Sequence, residues 1–465
     1  MVEGEAELAA LARAAELAEA YRRRIAVAEH TPTEPYAASL ARFAGPTPEY
    51  GETGDAVIAT LAEAAEPGLR ASTGPRFFGW VIGNSHPTGV AADWLASAWG
   101  QNAANVTAAP AASAAEAVAA GWLLDLLDLP RESSVGFVTG ATVANFVALA
   151  AARSALLARA GWNVEADGLF GAPPITVLIG EEAHITVYAA LNYLGLGTRR
   201  VVTVACDDQG AMVAGDFARA LAAATGPVIA IGQAGQINSG AFDPFEQIAP
   251  MCRDAGAWLH VDGAFGLWAR ACPDRAALGR GLELAHSWAT DGHKWLQTPY
   301  DCGFAIVRDA EAHRRAMTIA ASYLPPAAGS ERDPSAYVPE LSRRARGFAT
   351  WAMIKRLGRS GIAEMVERHC RLARRMAERL TAEPGVQVLN DVVLNQLVVR
   401  FGDDDAQTLA TVDRVQRDAI AFMGASQWRG RWVMRISITS DATTEAEADT
   451  ACAAVISAWR AVRTS

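Results

Sequence analysis

The stretch Trp258-Leu-His-Val-Asp-Gly-Ala-Phe-Gly266 and, downstream, Ser287-Trp-Ala-Thr-Asp-Gly-His-Lys-Trp295 decide how the whole chain is read. Each starts as a short β-forming run and ends in polar residues, the pattern of a buried strand opening on a turn. Runs of the same kind occur at Val135–Val138, Ile175–Ile179, Val201–Ala205, Pro227–Ile231 and Gly303–Val307, with helical stretches between them. That alternation predicts an α/β domain with a largely parallel sheet.

Working outward, residues 4–29 read as an Ala/Glu/Arg-rich amphipathic helix. A Pro-, Thr- and Gly-rich stretch follows, from Thr31 to Thr53. Helical patterning then runs to Leu127, broken by a loop around Pro75-Arg-Phe-Phe-Gly-Trp80. Beyond the sheet region, helical segments from about 340 to 381 lead into a smaller α/β unit. That unit contains the β-like runs Asn395–Phe401 and Trp432–Thr439 and a final helix from Thr443.

With 465 residues and 51% hydrophobic content, the chain can bury a large core divided among two or three units. A formal net charge of −10 without a basic block argues against nucleic-acid and anionic-membrane partners. The acidic start Met1-Val-Glu-Gly-Glu lacks a signal-peptide pattern. No stretch is expected to span a bilayer; the Ala-rich region from Ala96 to Ala120 is interrupted by Asn, Gln, Pro and Glu. The six cysteines are scattered without a CxxC pair, which predicts reduced thiols, a cytoplasmic protein and no structural zinc.

The chain holds two lysines, Lys294 and Lys355, against 39 arginines. Arginine stays protonated, whereas lysine can lose its proton and attack a carbonyl. A retained lysine is therefore a candidate for work that arginine cannot do. Lys355 lies in the helical run Trp351-Ala-Met-Ile-Lys-Arg-Leu and needs no such role. Lys294, between His293 and Trp295 at a buried strand end, suits a nucleophilic amine; an ion pair with Asp291 explains it equally well.

Ligands of open α/β sheets gather at the carboxyl ends of the strands. Asp262 ends one strand there, although an isolated HVD also suits a helix-capping Asp. Phe137-Val-Thr-Gly-Ala-Thr-Val-Ala-Asn145 reads as strand, turn and helix start, a phosphate cradle to which Thr142 adds a hydroxyl. His184 follows the run Ile175–Ile179, where a histidine is more often a cap or a core residue. Together these segments supply an amine, an acid, a flat ring and a helix N-terminus, the parts that a phosphorylated pyridine aldehyde requires.

At these residues the chain resembles the group II pyridoxal-5′-phosphate-dependent amino-acid decarboxylases, which include aromatic-L-amino-acid and glutamate decarboxylases. The likeness runs from about Pro75 to the C-terminus. It is carried by Pro75-Arg-Phe-Phe-Gly, Gly140-Ala-Thr-Val-Ala-Asn, His184, Gly240-Ala-Phe-Asp-Pro, His260-Val-Asp, Asp291-Gly-His-Lys-Trp, Leu341-Ser-Arg-Arg-Ala-Arg and Met434-Arg-Ile-Ser. The resemblance implies fold type I: a large domain with a mostly parallel seven-stranded sheet flanked by helices, and a small C-terminal α/β domain. It divides the chain into an N-terminal helical, dimerising segment (1–100), a large cofactor domain (101–365) and the small domain (366–465).

Carried over, it makes Lys294 the Schiff-base lysine, Asp262 the partner of the pyridine nitrogen and His184 the stacking ring. Ala141 and Thr142 would take the phosphate with His293 nearby, Ala264 the opposite ring face, and Asn238 the cofactor-lining loop. Arg435 would hold the substrate α-carboxylate. The resemblance implies homodimers with the site at the subunit interface, so Phe77, Phe78 and the region around Gln101 are expected to shape the substrate pocket. Tyr337 is expected at the substrate, on the loop 322–337 that also holds Tyr323. The implied reaction is decarboxylation of an L-amino acid to amine and CO2.

The chain departs from the family pattern in three places. Neither Tyr323 nor Tyr337 falls at the proton-donor position, Gln236-Ile-Asn238 replaces paired threonines, and Gly263-Ala264-Phe265 replaces Ala-Ala-Tyr. These leave open other carbanion chemistry on the same scaffold: retro-aldol cleavage, decarboxylative condensation or oxidative deamination to an aldehyde. A metal-dependent hydrolase built on His260, Asp262, Asp291 and His293 is a remote alternative, because it leaves Lys294 unused.

Overall fold

A computed structural model of the chain describes residues 3–28, 31–318 and 332–464. Five helices precede the first strand: α1 (Glu3–Arg24), α2 (Tyr36–Phe43), α3 (Gly54–Ala65), α4 (Pro87–Trp99) and α5 (Pro110–Leu126). The large domain continues as β1 (Ser134–Val138), α6 (Ala141–Arg159), α7 (Val164–Asp167), β2 (Thr176–Gly180), α8 (Ile185–Tyr193), β3 (Val202–Val204) and α9 (Ala214–Ala223). It is completed by β4 (Val228–Gln233), α10 (Phe245–Asp254), β5 (Trp258–Asp262), β6 (Ser287–Asp291), β7 (Gly303–Val307) and α11 (Ala310–Met317). The long α12 (Arg346–Thr381) leads into β8 (Val386–Val388), β9 (Gln396–Phe401), α13 (Asp405–Asp418), β10 (Gly424–Trp428), β11 (Arg431–Ser437) and α14 (Glu445–Arg463).

Each of the seven expected large-domain runs is a strand. They form one sheet in the order β1-β7-β6-β5-β4-β2-β3, in which β7 alone runs against its neighbours. Strands such as Val228-Ile-Ala-Ile-Gly-Gln233 are buried along their whole length, as parallel strands covered on both faces must be. One face is sealed by α6, whose Ala- and Leu-rich surface packs against Val177, Ile229 and Ala305. This helix is long and apolar enough to cross a membrane by composition, contrary to the expectation that no stretch is. Most of it is buried against the sheet, as in a core helix.

The small domain is a four-stranded antiparallel sheet, β10-β11-β9-β8, covered by α13 and α14. Its β10–β11 hairpin turns at Arg429 and Gly430, both at positive φ (52° and 75°), which matches the twist of a two-residue hairpin. The boundaries at 100 and 365 do not interrupt the structure. Phe78 lies in the small-domain core, and Phe78 N donates to Phe422 O. Helix α12 passes straight through residue 365, with its break earlier, at Gly358 (φ 65°).

Three wholly buried histidines are tied into this frame. His260 bonds Ser287 Oγ and Asn145 Oδ1, His313 bonds Ser134 Oγ and Tyr337 O, and His369 bonds Trp295 Nε1 and Ser440 O. Burial pushes each down to about 3 from the ordinary 6.5. Between those values the unfolded chain binds protons that the folded chain refuses. Stability is therefore complete above about 6.5 and declines as pH falls towards 3, by up to about 1.4 kcal/mol per unit for each histidine. Urea unfolding at pH 7 and pH 5 should give a clearly lower midpoint at the acid value; equal midpoints would contradict the neutral, buried state.

Candidate active site

The carboxyl ends of β1, β2, β4, β5 and β6 open on one rim, and the loops that leave them carry the candidate residues. His184, Ile237, Asp262, Ala264, Phe265 and Lys294 line a cleft there with about 290 Å³ of open space.

Asp262 is the last residue of β5 and is 4% exposed. Among the described residues its carboxylate accepts one hydrogen bond, from Ala264 N at 3.2 Å. Burial raises its pKa, and His184, Lys294 and the Ala264 amide pull it back only in part. A buried acid facing a cleft with so little compensation is suited to a cationic N–H.

His184 caps α8: Thr186 N donates to Nδ1 at 3.4 Å, and Thr186 Oγ1 lies 2.8 Å from Nδ1. With Nδ1 accepting, the ring proton sits on Nε2. Burial lowers the pKa of this histidine, with Lys294 and Arg435 adding to the effect and Asp262 opposing it. The result is a flat, neutral imidazole at the cleft. The capping reading is true of it, and its ring also lines the cleft.

Lys294 lies on the loop between β6 and β7, with its side chain 17% exposed and Nζ 3.1 Å from Asp291 Oδ2. The ion pair that sequence left as an alternative therefore exists. The other oxygen, Asp291 Oδ1, accepts from Ala141 N at 2.6 Å and lies 3.6 Å from His293 Nε2. Lysine, acid, histidine and the first turn of α6 thus converge, with Thr142 half-buried in that turn. A Cβ on Gly140 would stand 3.1 Å from His293 Cε1, so the helix start and the histidine share one small space. A helix start with the Thr142 hydroxyl near Asp291 and His293, and a buried acid, Asp262, in the cleft that Lys294 also lines, fit pyridoxal 5′-phosphate.

Arg435, on β11, is half-buried; its hydrogen bond to Asn238 Oδ1 is a long one, 3.5 Å. Burial pushes it down to about 10. Asn238 is thereby placed against Arg435, while its neighbour Ile237 lines the cleft.

The other expected substrate contacts lie elsewhere. Phe77 stacks on Phe422 at 5.0 Å and Phe78 is a small-domain core residue, both essentially without exposure. Their bulk and apolarity draw them into the joint between the N-terminal loop and the small domain. Tyr337 does not line the cleft: Arg332 lies over its ring at 4.5 Å and His313 packs edge-on to it. Tyr323 lies outside the described residues. The set His260, Asp262, Asp291 and His293 is divided as well, because both ring nitrogens of His260 are engaged by Ser287 and Asn145.

Sequence reading reaches this segment only as far as Trp80, a hint of an apolar or aromatic pocket; it missed Val81 to Gly83, which abut the lysine. Trp80 and Val81 occupy the left-handed region one after the other (φ 59° and 55°), a strained arrangement for a bulky and a β-branched residue. Trp80 is half exposed. Gly83 (φ 74°) then touches the lysine loop so closely that a Cβ would fall 2.1 Å from His293 O and 2.6 Å from Lys294 Cα. Gly83→Ala is expected to destabilise the protein by about 1–3 kcal/mol or more and to weaken cofactor retention. Thermal melting and cofactor content after dialysis would reveal it, and a variant matching the parent in both would overturn the contact. The glycine following Ile82 was the one available signal.

The conserved domain described as pyridoxal-dependent decarboxylase matches residues 39–401. The aromatic-L-amino-acid decarboxylase of Bacillus atrophaeus is 25% identical over 390 residues, covering 80% of this chain and 78% of that protein. The 4-hydroxyphenylacetaldehyde synthase of Rhodiola rosea is likewise 25% identical, over 422 residues, covering 86% and 84%. In fold, the chain is similar to Oryza sativa TDC solved with PLP and tryptamine, at a TM-score of 0.90, 21% identity and coverage of 100% and 98%.

Proposed function

The chain belongs to the pyridoxal-dependent decarboxylase family and uses pyridoxal 5′-phosphate, and from that premise we propose that it converts an aromatic or apolar L-amino acid into its amine and CO2. The observation that carries this reading is the buried, under-compensated Asp262 facing the cleft beside Lys294. When bound, the cofactor supplies a carbonyl that joins to an amine and a ring that takes up the electron pair left as CO2 departs.

The chain's own residues supply the rest. Asp262 holds the proton on the ring nitrogen. Asp291 Oδ2, 3.1 Å from Lys294 Nζ, orients that amine at the cleft. The Thr142 hydroxyl and the first-turn amides of α6 other than Ala141 N, which Asp291 already engages, would hold the phosphate, with His293 beside them. His184 offers its flat neutral ring on one side and Ala264 leaves room on the other. Arg435, half-buried and without a carboxylate partner among the described residues, is the residue to orient the substrate α-carboxylate. Phe265 in the cleft lining favours an aromatic or apolar substrate side chain, in keeping with the aromatic decarboxylase relative from B. atrophaeus.

The working unit we infer is a homodimer, since Leu61, Trp94, Leu95 and Trp99 on α3 and α4 present exposed apolar surface for a second copy. The six free cysteines support a cytoplasmic setting. A competing outcome is aldehyde formation, favoured by the R. rosea relative at equal identity.

The test is a panel of amino acids given to the cofactor-loaded enzyme, with CO2 and organic product measured together. Equal amounts of CO2 and amine are expected. Aldehyde in place of amine would select the competing outcome, and no CO2 from any amino acid would overturn both.

A further inference from the structure

Gln297 stands three residues after Lys294, wholly buried and in the left-handed region at φ 60°. That backbone is unfavourable for a residue with a Cβ, so surrounding bonds must hold it. Its side-chain amide does so. Nε2 donates to Lys294 O at 2.9 Å and to Thr439 O at 2.7 Å, while Oε1 accepts from Asp441 N at 3.0 Å. Its backbone carbonyl accepts from His86 N at 2.9 Å, which ties in the segment after Gly83. One side chain thus joins the lysine loop to the end of the small-domain strand β11.

A second bridge runs beside it. Trp295 Nε1 donates to His369 Nδ1 at 2.8 Å, and His369 Nε2 lies 3.0 Å from Ser440 O. Because Nδ1 accepts, the proton is on Nε2 and is donated onward to Ser440 O. Asn84 Nδ2 donates to Ser440 Oγ at 2.8 Å, closing the network. Residues on both sides of the short segment after Lys294 are therefore fastened to 439–441, while Gly83 presses on Lys294 Cα.

We propose that Gln297 is a positioning residue that transmits the placement of the small domain to Lys294 and so fixes where Nζ stands against the cofactor carbonyl. The chemistry of glutamine is needed for this. Glutamate would lack the two N–H donors, and an apolar side chain would leave two buried carbonyls and an amide without partners. The proposal rests on Lys294 being the cofactor-bearing lysine, and not on the choice between amine and aldehyde as product.

Gln297→Met keeps the length and removes the amide. Trp295→Phe keeps a ring and removes the donor of the parallel bridge. Each variant, purified with pyridoxal 5′-phosphate, is to be read by the visible circular dichroism of the bound cofactor, the pH titration of its absorbance, and kcat and KM taken separately. Gln297→Met is expected to change the ellipticity and move the titration midpoint. Its kcat should fall on the order of 10- to 100-fold, with KM little altered. A variant that melts earlier but keeps the parent's spectrum, titration and kcat would overturn the proposal, leaving Gln297 a purely structural joint. Should Gln297→Met fail to fold, Trp295→Phe decides by the same spectral readouts, in the same direction. The spectral measurements need no substrate, so an error in the assigned reaction would leave them intact and be recognised separately.

Discussion

Lys294→Arg is expected to lose the cofactor's visible band and on the order of 10⁴- to 10⁶-fold in turnover, the scale on which removal of a covalent nucleophile acts. The substitution is demanding because arginine keeps the charge, has a similar reach and can still pair with Asp291. It cannot, however, give up its proton to become an attacking amine. No other lysine can stand in for it. Lys355, the only other one in the chain, is exposed on α12 and lines a separate groove with Trp122 and Arg359. Borohydride reduction and peptide mapping of the parent should place the label on Lys294. An arginine variant that retains both colour and turnover would remove the basis for every site assignment made above.

Asp262→Asn is expected to separate stability from activity. Asparagine keeps the shape and can still accept from Ala264 N, but it removes the anion. Turnover should fall about 10²- to 10³-fold, as when a fixed electrostatic partner of a reacting centre is lost. The cofactor-free protein should melt no earlier than the parent, because burial already disfavours the Asp262 carboxylate. Differential scanning of the cofactor-free proteins beside steady-state kinetics measures both quantities. A kcat within tenfold of the parent would remove Asp262 from its role at the ring nitrogen.

Much of this was readable from the chain. Six of the seven large-domain strands are runs long and apolar enough to be buried on both faces, and such runs carry their own signal; β3 is a short edge strand exposed at Val202 and Thr203. Asp262, Lys294 and His184 follow because strand ends are where ligands gather. The strands β8 and β10 were missed. Val386-Gln-Val388 is too short to show a period, and Gly424-Ala-Ser-Gln-Trp428 is an edge strand with little β-forming character, held by its pairing to β11. Phe77 and Phe78 pack in a core joint of this chain, and an apolar pair near a site and one in a core look alike in sequence. Trp80, Val81 and Gln297 take left-handed backbones that no local residue preference announces; tertiary contacts impose them. Asp291 was seen as a partner for lysine, but its bond to Ala141 N spans 150 positions and could not be read from spacing.

The reversed direction of β7 has a consequence for the order of assembly. Asp291 and Gly303 face each other across β6 and β7, so the loop carrying Lys294 is closed by an antiparallel pair that is local in sequence. A parallel β7 would have needed a crossover of a dozen residues or more. The other edge of β7 pairs with β1, where Ser134 meets Val307 across 173 positions, and β1 leads directly into the amides of α6. The lysine half of the site thus depends on short-range closure and the phosphate half on one of the longest closures in the domain. In a refolding experiment, recovery of cofactor colour should therefore track the distant pairing and lag behind the formation of the local hairpin.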